Sequence, residues 1–226
     1  MSARAALVLA AGLGLARPAE ACRLAMTIGM DVSASIDENE HALQRQGLVT
    51  ALLDVEVVDA FLAEPEPVAL HIFEWSGRAR QTVIQDWTLI AAAGDLEAVA
   101  KVLERVPRAN REFPTALGQA LIFASRALEA VECEARIVNI SGDGENNDGI
   151  QPQVVLREYP FDEVVVNGLV VGGNVARLAR YFEQHVVHGP GAFVEVAQDF
   201  ENFAAAMRRK LIRELGPVAQ AGMLLR

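Results

Sequence analysis

Apolar residues follow two rhythms along this chain. Predominantly apolar stretches cover 24–30, 68–75, 136–141 and 164–171. Runs of that length without polar alternation predict strands covered on both faces. Residues 81–90 predict another strand, but Asp86 and its polar neighbours mark it as an edge. A short strand is expected over 193–196. The second rhythm is helical. Over 39–58, Leu43, Gln46, Gly47, Thr50, Ala51 and Val55 can share one face. Over 95–106 the apolar positions are Leu96, Val99, Val102, Leu103 and Val106. Further helices are expected over 116–131, 152–159, 175–187 and 199–215, with Thr115 and Asp199 placed as N-caps. Buried strands alternating with amphipathic helices predict an α/β fold. Its core is a doubly wound, mostly parallel sheet with helices on both faces. Ligands of such sheets bind at the C-terminal strand ends, and that is where Asp31, Thr115 and Asp143 fall.

The first residues do not fit this frame. Arg4, an apolar run over 5–16 and Ala19-Glu-Ala21 form a basic start, a short apolar core and a small-residue cleavage motif. The run is too short to span a bilayer as a helix, and a buried first helix is the plainer alternative. Residues 1–21 are therefore expected to be a signal peptide, and 22–226 one domain, in a periplasmic or secreted protein. Cleavage there makes Cys22 the first mature residue. A lipoprotein anchored through Cys22 is the lesser alternative, since Ala19 and Glu20 make a poor lipobox. Cys22 and Cys133 are the only cysteines. They precede strands that could be parallel neighbours, so in an oxidising compartment a disulfide is expected. Two separate reduced thiols are the other reading.

Charge narrows the partners. The chain of 226 residues has 20 basic and 30 acidic side chains, a formal charge of −10. Removing residues 1–21 leaves −11. That excludes a general nucleic-acid binder, which needs a basic surface, and disfavours anionic membranes. No transmembrane segment is expected.

The candidate chemistry lies in three polar clusters. Asp31-Val-Ser33-Ala-Ser35 offers a carboxylate and two hydroxyls at alternate positions after a strand. Thr115 offers a third hydroxyl, and Asp143 a second carboxylate. Gathered at one sheet end, these oxygens suit a hard divalent cation: Mg2+, or else Mn2+ or Ca2+. Hydroxyls add no formal charge, so the ion would stay electrophilic and accept an outside carboxylate. Taken singly, each cluster reads equally as a helix cap or a turn. His41, His71, His185 and His188 lack ligand spacing and are expected to be structural or surface residues. Trp75 and Trp87 are expected to pack against the sheet edge.

Together, Asp31, Ser33, Ser35, Thr115 and Asp143-Gly144 resemble the von Willebrand factor A domain with a metal-ion-dependent adhesion site. The resemblance covers about residues 23–215. It implies six strands in the order 3-2-1-4-5-6, with strand 3 antiparallel. The chain is more similar still to a family of bacterial secreted proteins of unknown function, DUF1194. The shared stretches are Asp31-Val-Ser-Ala-Ser35, Phe113-Pro-Thr-Ala-Leu117, Val138-Asn-Ile-Ser-Gly-Asp-Gly144 and Gly189-Pro-Gly-Ala-Phe193. The polar loop 141–148 is longer than in many relatives, which leaves open whether Glu145 or Asp148 adjusts the site.

The expected function is metal-dependent binding of a protein that offers an acidic residue. No Gly-x-Ser-x-Gly elbow, His-Glu-x-x-His or lysine-bearing phosphate loop occurs, so an enzyme is not expected. The alternatives are a metal-stabilised structural subunit and, below that, a metal-dependent hydrolase or phosphatase with Asp31 as nucleophile. For the hydrolase, Arg108 and Arg111 are the cations nearest the Thr115 loop.

Overall fold

The computed structural model describes residues 22–109 and 111–216; the expected signal peptide lies outside them. Strand β1 (Cys22–Asp31) leads to helices α1 (Glu38–Leu52) and α2 (Val55–Phe61). The antiparallel pair β2 (Val68–Trp75) and β3 (Gln81–Ile90) follows, then α3 (Ala93–Arg105) and α4 (Leu117–Leu128). The rest alternates: β4 (Cys133–Gly142), α5 (Pro152–Glu158), β5 (Val164–Val171), α6 (Val175–His185), β6 (Val194–Ala197) and α7 (Phe203–Leu215). The sheet order is β3-β2-β1-β4-β5-β6. Only the β2–β3 pair is antiparallel. This is the order that the family resemblance implied.

Burial explains the strand pattern. Every residue of β1, β2 and β5 is buried, whereas most of β3 is half-exposed, as an edge must be. One core layer lies under α1, α2, α3 and α7. The other lies under α4, α5 and α6 and includes the fully buried Trp75. Trp87 packs beside it, donating its indole N–H to Ala127 O at 3.1 Å and facing His71 at 5.1 Å.

Several local expectations are corrected. The helix expected over 39–58 is two helices, because Asp54 turns the chain and caps α2 by accepting from the Glu56 N–H at 3.0 Å. Asp37 and Glu40 form a reciprocal capping box that starts α1. The inner face of α1 also differs. His41, Gln44, Gly47, Leu48, Ala51 and Leu52 are buried, while Gln46 and Thr50 are exposed and Val55 is 69% exposed. The buried polar pair escaped the apolar count because each has a partner inside. His41 Nε2 meets Glu74 Oε1 at 2.8 Å, and Gln44 Nε2 donates to Asp31 O at 2.9 Å. Asp199 caps a turn before α7, accepting from the Asn202 N–H at 2.9 Å, and not the helix itself.

Strand β4 starts at Cys133, three residues earlier than expected, and pairs Cys133 with Cys22 across the parallel ladder. The two cysteines form a disulfide with a Cα–Cα distance of 4.7 Å. Among the described residues no helix is long and apolar enough to cross a membrane.

Candidate metal centre

The centre sits where β1 and β4 end. After Asp31 the chain leaves the ladder, with the Val32 N–H still held by Trp75 O at 2.9 Å. Asp31 Oδ1 then accepts from the Ser33 N–H at 2.8 Å, which folds the next residues back over the strand end. Ala34 donates its N–H to Phe113 O at 2.9 Å, tying this loop to the segment that carries Thr115.

The hydroxyls are linked in sequence. Thr115 Oγ1 donates to Ser33 Oγ at 3.3 Å, Ser33 Oγ lies 3.2 Å from Ser35 Oγ, and Ser35 Oγ donates to Asp143 Oδ1 at 2.8 Å. Ala116, not Thr115, is the N-cap of α4, and it makes no side-chain cap. That frees the Thr115 hydroxyl for the cluster. All five residues named from the sequence therefore converge at one end of the sheet.

One oxygen in this cluster has no partner. Asp31 is fully buried, and its Oδ2 accepts no hydrogen bond. A buried carboxylate oxygen left alone is costly. Burial, and next to it the charge of Asp143, push the Asp31 carboxyl up to about 8. Burial likewise raises the Asp143 carboxyl, and the charge of Glu40 adds to it. Both carboxyls are thus held where ionisation is unfavourable. A cation among these oxygens would offset that penalty. The neighbouring backbone leaves room for an approach, since a Cβ on Gly142 would stand 3.2 Å from Asp31 Oδ2. Among the described residues no group of three or more His, Cys, Asp or Glu gathers as a metal cluster. The donor set here is two carboxylates and three hydroxyls, which fits a hard divalent cation such as Mg2+, Mn2+ or Ca2+ that keeps some of its water.

Residues other than the five candidate ligands hold this geometry. Arg108, with only 3% of its side chain exposed, donates through Nη2 to Val32 O at 3.0 Å, Ser33 O at 3.2 Å and Ile36 O at 2.8 Å. Its guanidinium therefore braces the Asp31–Ser35 turn. Arg111 pairs with Glu38 at 3.2 Å. Asn147 Oδ1 accepts from the Thr115 N–H at 2.8 Å, and Asn146 Oδ1 accepts from the Gly118 N–H at 3.1 Å. Gly118 permits this because a Cβ there would lie 2.1 Å from Ile150 O. The signal for the asparagines was the polar loop itself, but its acidic residues drew attention first. Glu145 pairs with Arg177 at 2.9 Å and Asp148 with Arg78 at 2.7 Å, so both are engaged at the rim.

The six-stranded order is that of a von Willebrand factor A-like fold. The chain belongs to the family described as "Protein of unknown function (DUF1194)", whose profile matches residues 21–219. No curated protein matches the sequence. Among solved structures, the chain is similar to proximal thread matrix protein 1 from the mussel byssus, in a form with a zinc-occupied MIDAS motif. The identity is 17% and the TM-score 0.64, over 87% of this chain and 46% of that one. It is also similar to a von Willebrand factor type A protein from Catenulispora acidiphila, at 15% identity and TM-score 0.60, over 86% and 43%. The pilus adhesin SpaC from Lactobacillus rhamnosus GG is 11% identical with TM-score 0.62, over 86% and 30%. The chain spans less than half the length of these proteins, and the likeness is one of fold.

Proposed function

We propose that this chain is a divalent-metal-dependent protein-binding module of a periplasmic or secreted protein. Asp31, Ser33, Ser35, Thr115 and Asp143 hold the ion, and a partner's acidic side chain completes its shell. The observation that carries this reading is the buried, unpartnered Asp31 Oδ2 beside a linked row of hydroxyls. Mg2+ fits the oxygen set, and Mn2+ or Ca2+ could replace it. Bound there, the ion would supply a Lewis-acidic coordination position for a carboxylate. The chain's own part is to hold the oxygens apart and rigid. Arg108 and Gln44 brace the turn, and Asn146 and Asn147 seat the Thr115 segment. Two proteins of similar fold, an adhesin and a byssus matrix protein with a metal-occupied motif, accord with adhesion. The disulfide accords with an oxidising compartment.

Catalysis is not part of the proposal. Arg108, the cation nearest the Thr115 loop, donates to three backbone carbonyls, which supports a bracing role for it.

The test has two stages. Titration calorimetry of chelator-stripped protein with Mg2+ and Mn2+ should show one site, lost in Asp31→Ala and weakened in Ser33→Ala. Immobilised protein should then retain exported proteins in Mg2+ and release them in EDTA, with no retention by Asp31→Ala. Absence of any divalent-ion binding refutes the module. Binding that raises thermal stability, without ion-dependent retention, supports the metal-stabilised structural subunit instead.

A further inference from the structure

Away from the metal centre, between the sheet and α7, lies a cluster of polar groups sealed from solvent. Lys210 and Glu214, one turn apart on α7, are both 0% exposed. Lys210 Nζ donates to Glu214 Oε1. The same oxygen accepts from Asn167 Nδ2 of β5 at 2.9 Å. Glu214 Oε2 accepts from Asn139 Nδ2 of β4 at 3.1 Å. Asn167 Oδ1 accepts from the Phe193 N–H at 3.0 Å. The Phe193 ring closes the cluster: Lys210 Nζ lies 5.1 Å from its centroid and the Arg213 guanidinium 3.7 Å.

Three features set this apart from an ordinary ion pair. Only two of the chain's twenty basic residues are lysines, and one of them occupies this buried position. Arginine is the usual choice for a buried pair, whereas a desolvated lysine is a nucleophile. Burial lowers the Lys210 pKa, which favours the neutral amine. Finally, amine and carboxamide both donate to one and the same carboxylate oxygen, which holds the two groups side by side.

We propose that Lys210 and Asn167 join in an intramolecular isopeptide bond, with Glu214 as the proton carrier. Glu214 takes one proton from the Lys210 ammonium, leaving a neutral amine. The lone pair of Nζ forms a bond to Asn167 Cγ, and negative charge gathers on Oδ1. The Phe193 N–H already faces that oxygen and stabilises it. Glu214 passes its proton to Nδ2 and receives a second from the newly attached nitrogen. The Cγ–Nδ2 bond breaks and ammonia leaves, with one hydrogen remaining on the new amide and Glu214 left neutral. Nothing is oxidised or reduced and no co-reactant enters. The product ties α7 covalently to β5.

Mass spectrometry of the reduced, denatured mature protein tests this directly. The mass should fall short of the sequence by one ammonia. Trypsin should fail to cut after Lys210 and should release one branched species joining the Asn167 peptide to the Lys210 peptide. Lys210→Arg and Glu214→Gln should each show their full sequence mass. Glu214→Gln retains the size of the side chain, so a folded variant of full mass identifies the proton carrier. The wild-type mass decides the matter even if both variants misfold. A full wild-type mass with normal cleavage after Lys210 overturns the proposal and leaves a buried ion pair. A branch at Asn139 overturns the choice of acceptor.

Discussion

Replacing Asp31 by Asn should stabilise the metal-free protein while abolishing its response to divalent ions. The substitution keeps the side chain's shape and leaves an oxygen to accept from the Ser33 N–H. It removes the charge that burial and Asp143 disfavour. In the fold the Asp31 carboxyl holds its proton up to about 8, against an ordinary value of 3.8. The folded pKa is raised, so its contribution is fully present below 3.8 and is lost as pH rises through about 8. At about 1.4 kcal/mol per pH unit, that window bounds the loss at about 6 kcal/mol. Asp143 shares the charge, and the gain for Asp31→Asn at about pH 8 is set at about 2–4 kcal/mol. Urea unfolding in EDTA at about pH 5 and about pH 8 measures it, and the gap between variant and wild type should widen with pH. Adding Mg2+ at about a hundred times its dissociation constant should return about 2.7 kcal/mol to the wild type and nothing to the variant. The reasoning is refuted if Asp31→Asn is the less stable protein in EDTA at both pH values. Oδ2 would then have a partner inside the fold.

Other expectations follow from the same contacts. Arg108→Met strands three loop carbonyls, and should cost about 2–4 kcal/mol in urea unfolding and weaken Mn2+ binding in calorimetry. Exchanging both cysteines for Ser frees a loop with a sequence separation of 111, and should cost about 5 kcal/mol, read as a lower urea midpoint. His71 lies buried with its Nδ1 2.8 Å from Thr27 Oγ1, and burial lowers its pKa to about 4. A lowered histidine pKa gives stability that is present above 6.5 and lost as pH falls toward 4. His71→Gln should therefore flatten the acid limb of the stability curve by about 2–3 kcal/mol relative to wild type.

The sequence made the sheet legible because its central strands are buried on both faces and so are dominated by apolar residues, with Thr27, His71, Glu74, Asn139 and Asn167 as isolated buried polar exceptions. The edge strand was legible for the opposite reason, through Asp86 and its neighbours. The inner face of α1 was not legible. His41 and Gln44 turn inward to Glu74 and to the Asp31 carbonyl, and no apolar period records a polar residue whose partner is 33 or 13 residues away in sequence but adjacent in space. The five site residues were legible as residue types in a familiar order. Their supports were not, since Arg108 acts through backbone carbonyls and Asn147 through a backbone N–H. Backbone partners leave no pattern in the sequence. Lys210 carried no signal either, because nothing in a helical period announces a lysine turned inward.

The positions of the two covalent and coordinating ends argue for one design. The disulfide joins β1 to β4 at their first residues, where Cys22 pairs with Cys133. The ladder then runs in register to Met30 opposite Ser141, one step before the metal centre. A slip of one residue along this pair would turn every side chain to the other face. It would also carry Asp31 away from Asp143. The same two strands therefore place both carboxylates, Asp31 at the end of β1 and Asp143 just past the end of β4, and bear the bond that fixes their alignment. Once β1 and β4 are paired, the long ladder holds that alignment by itself. The disulfide is then felt mainly in the unfolded chain, where it keeps the two strand starts together before pairing. On this argument the reduced protein, while still folded, keeps its divalent-ion affinity and loses only stability. A folded, reduced protein with sharply weakened Mn2+ binding would show instead that the bridge strains or steers the site directly.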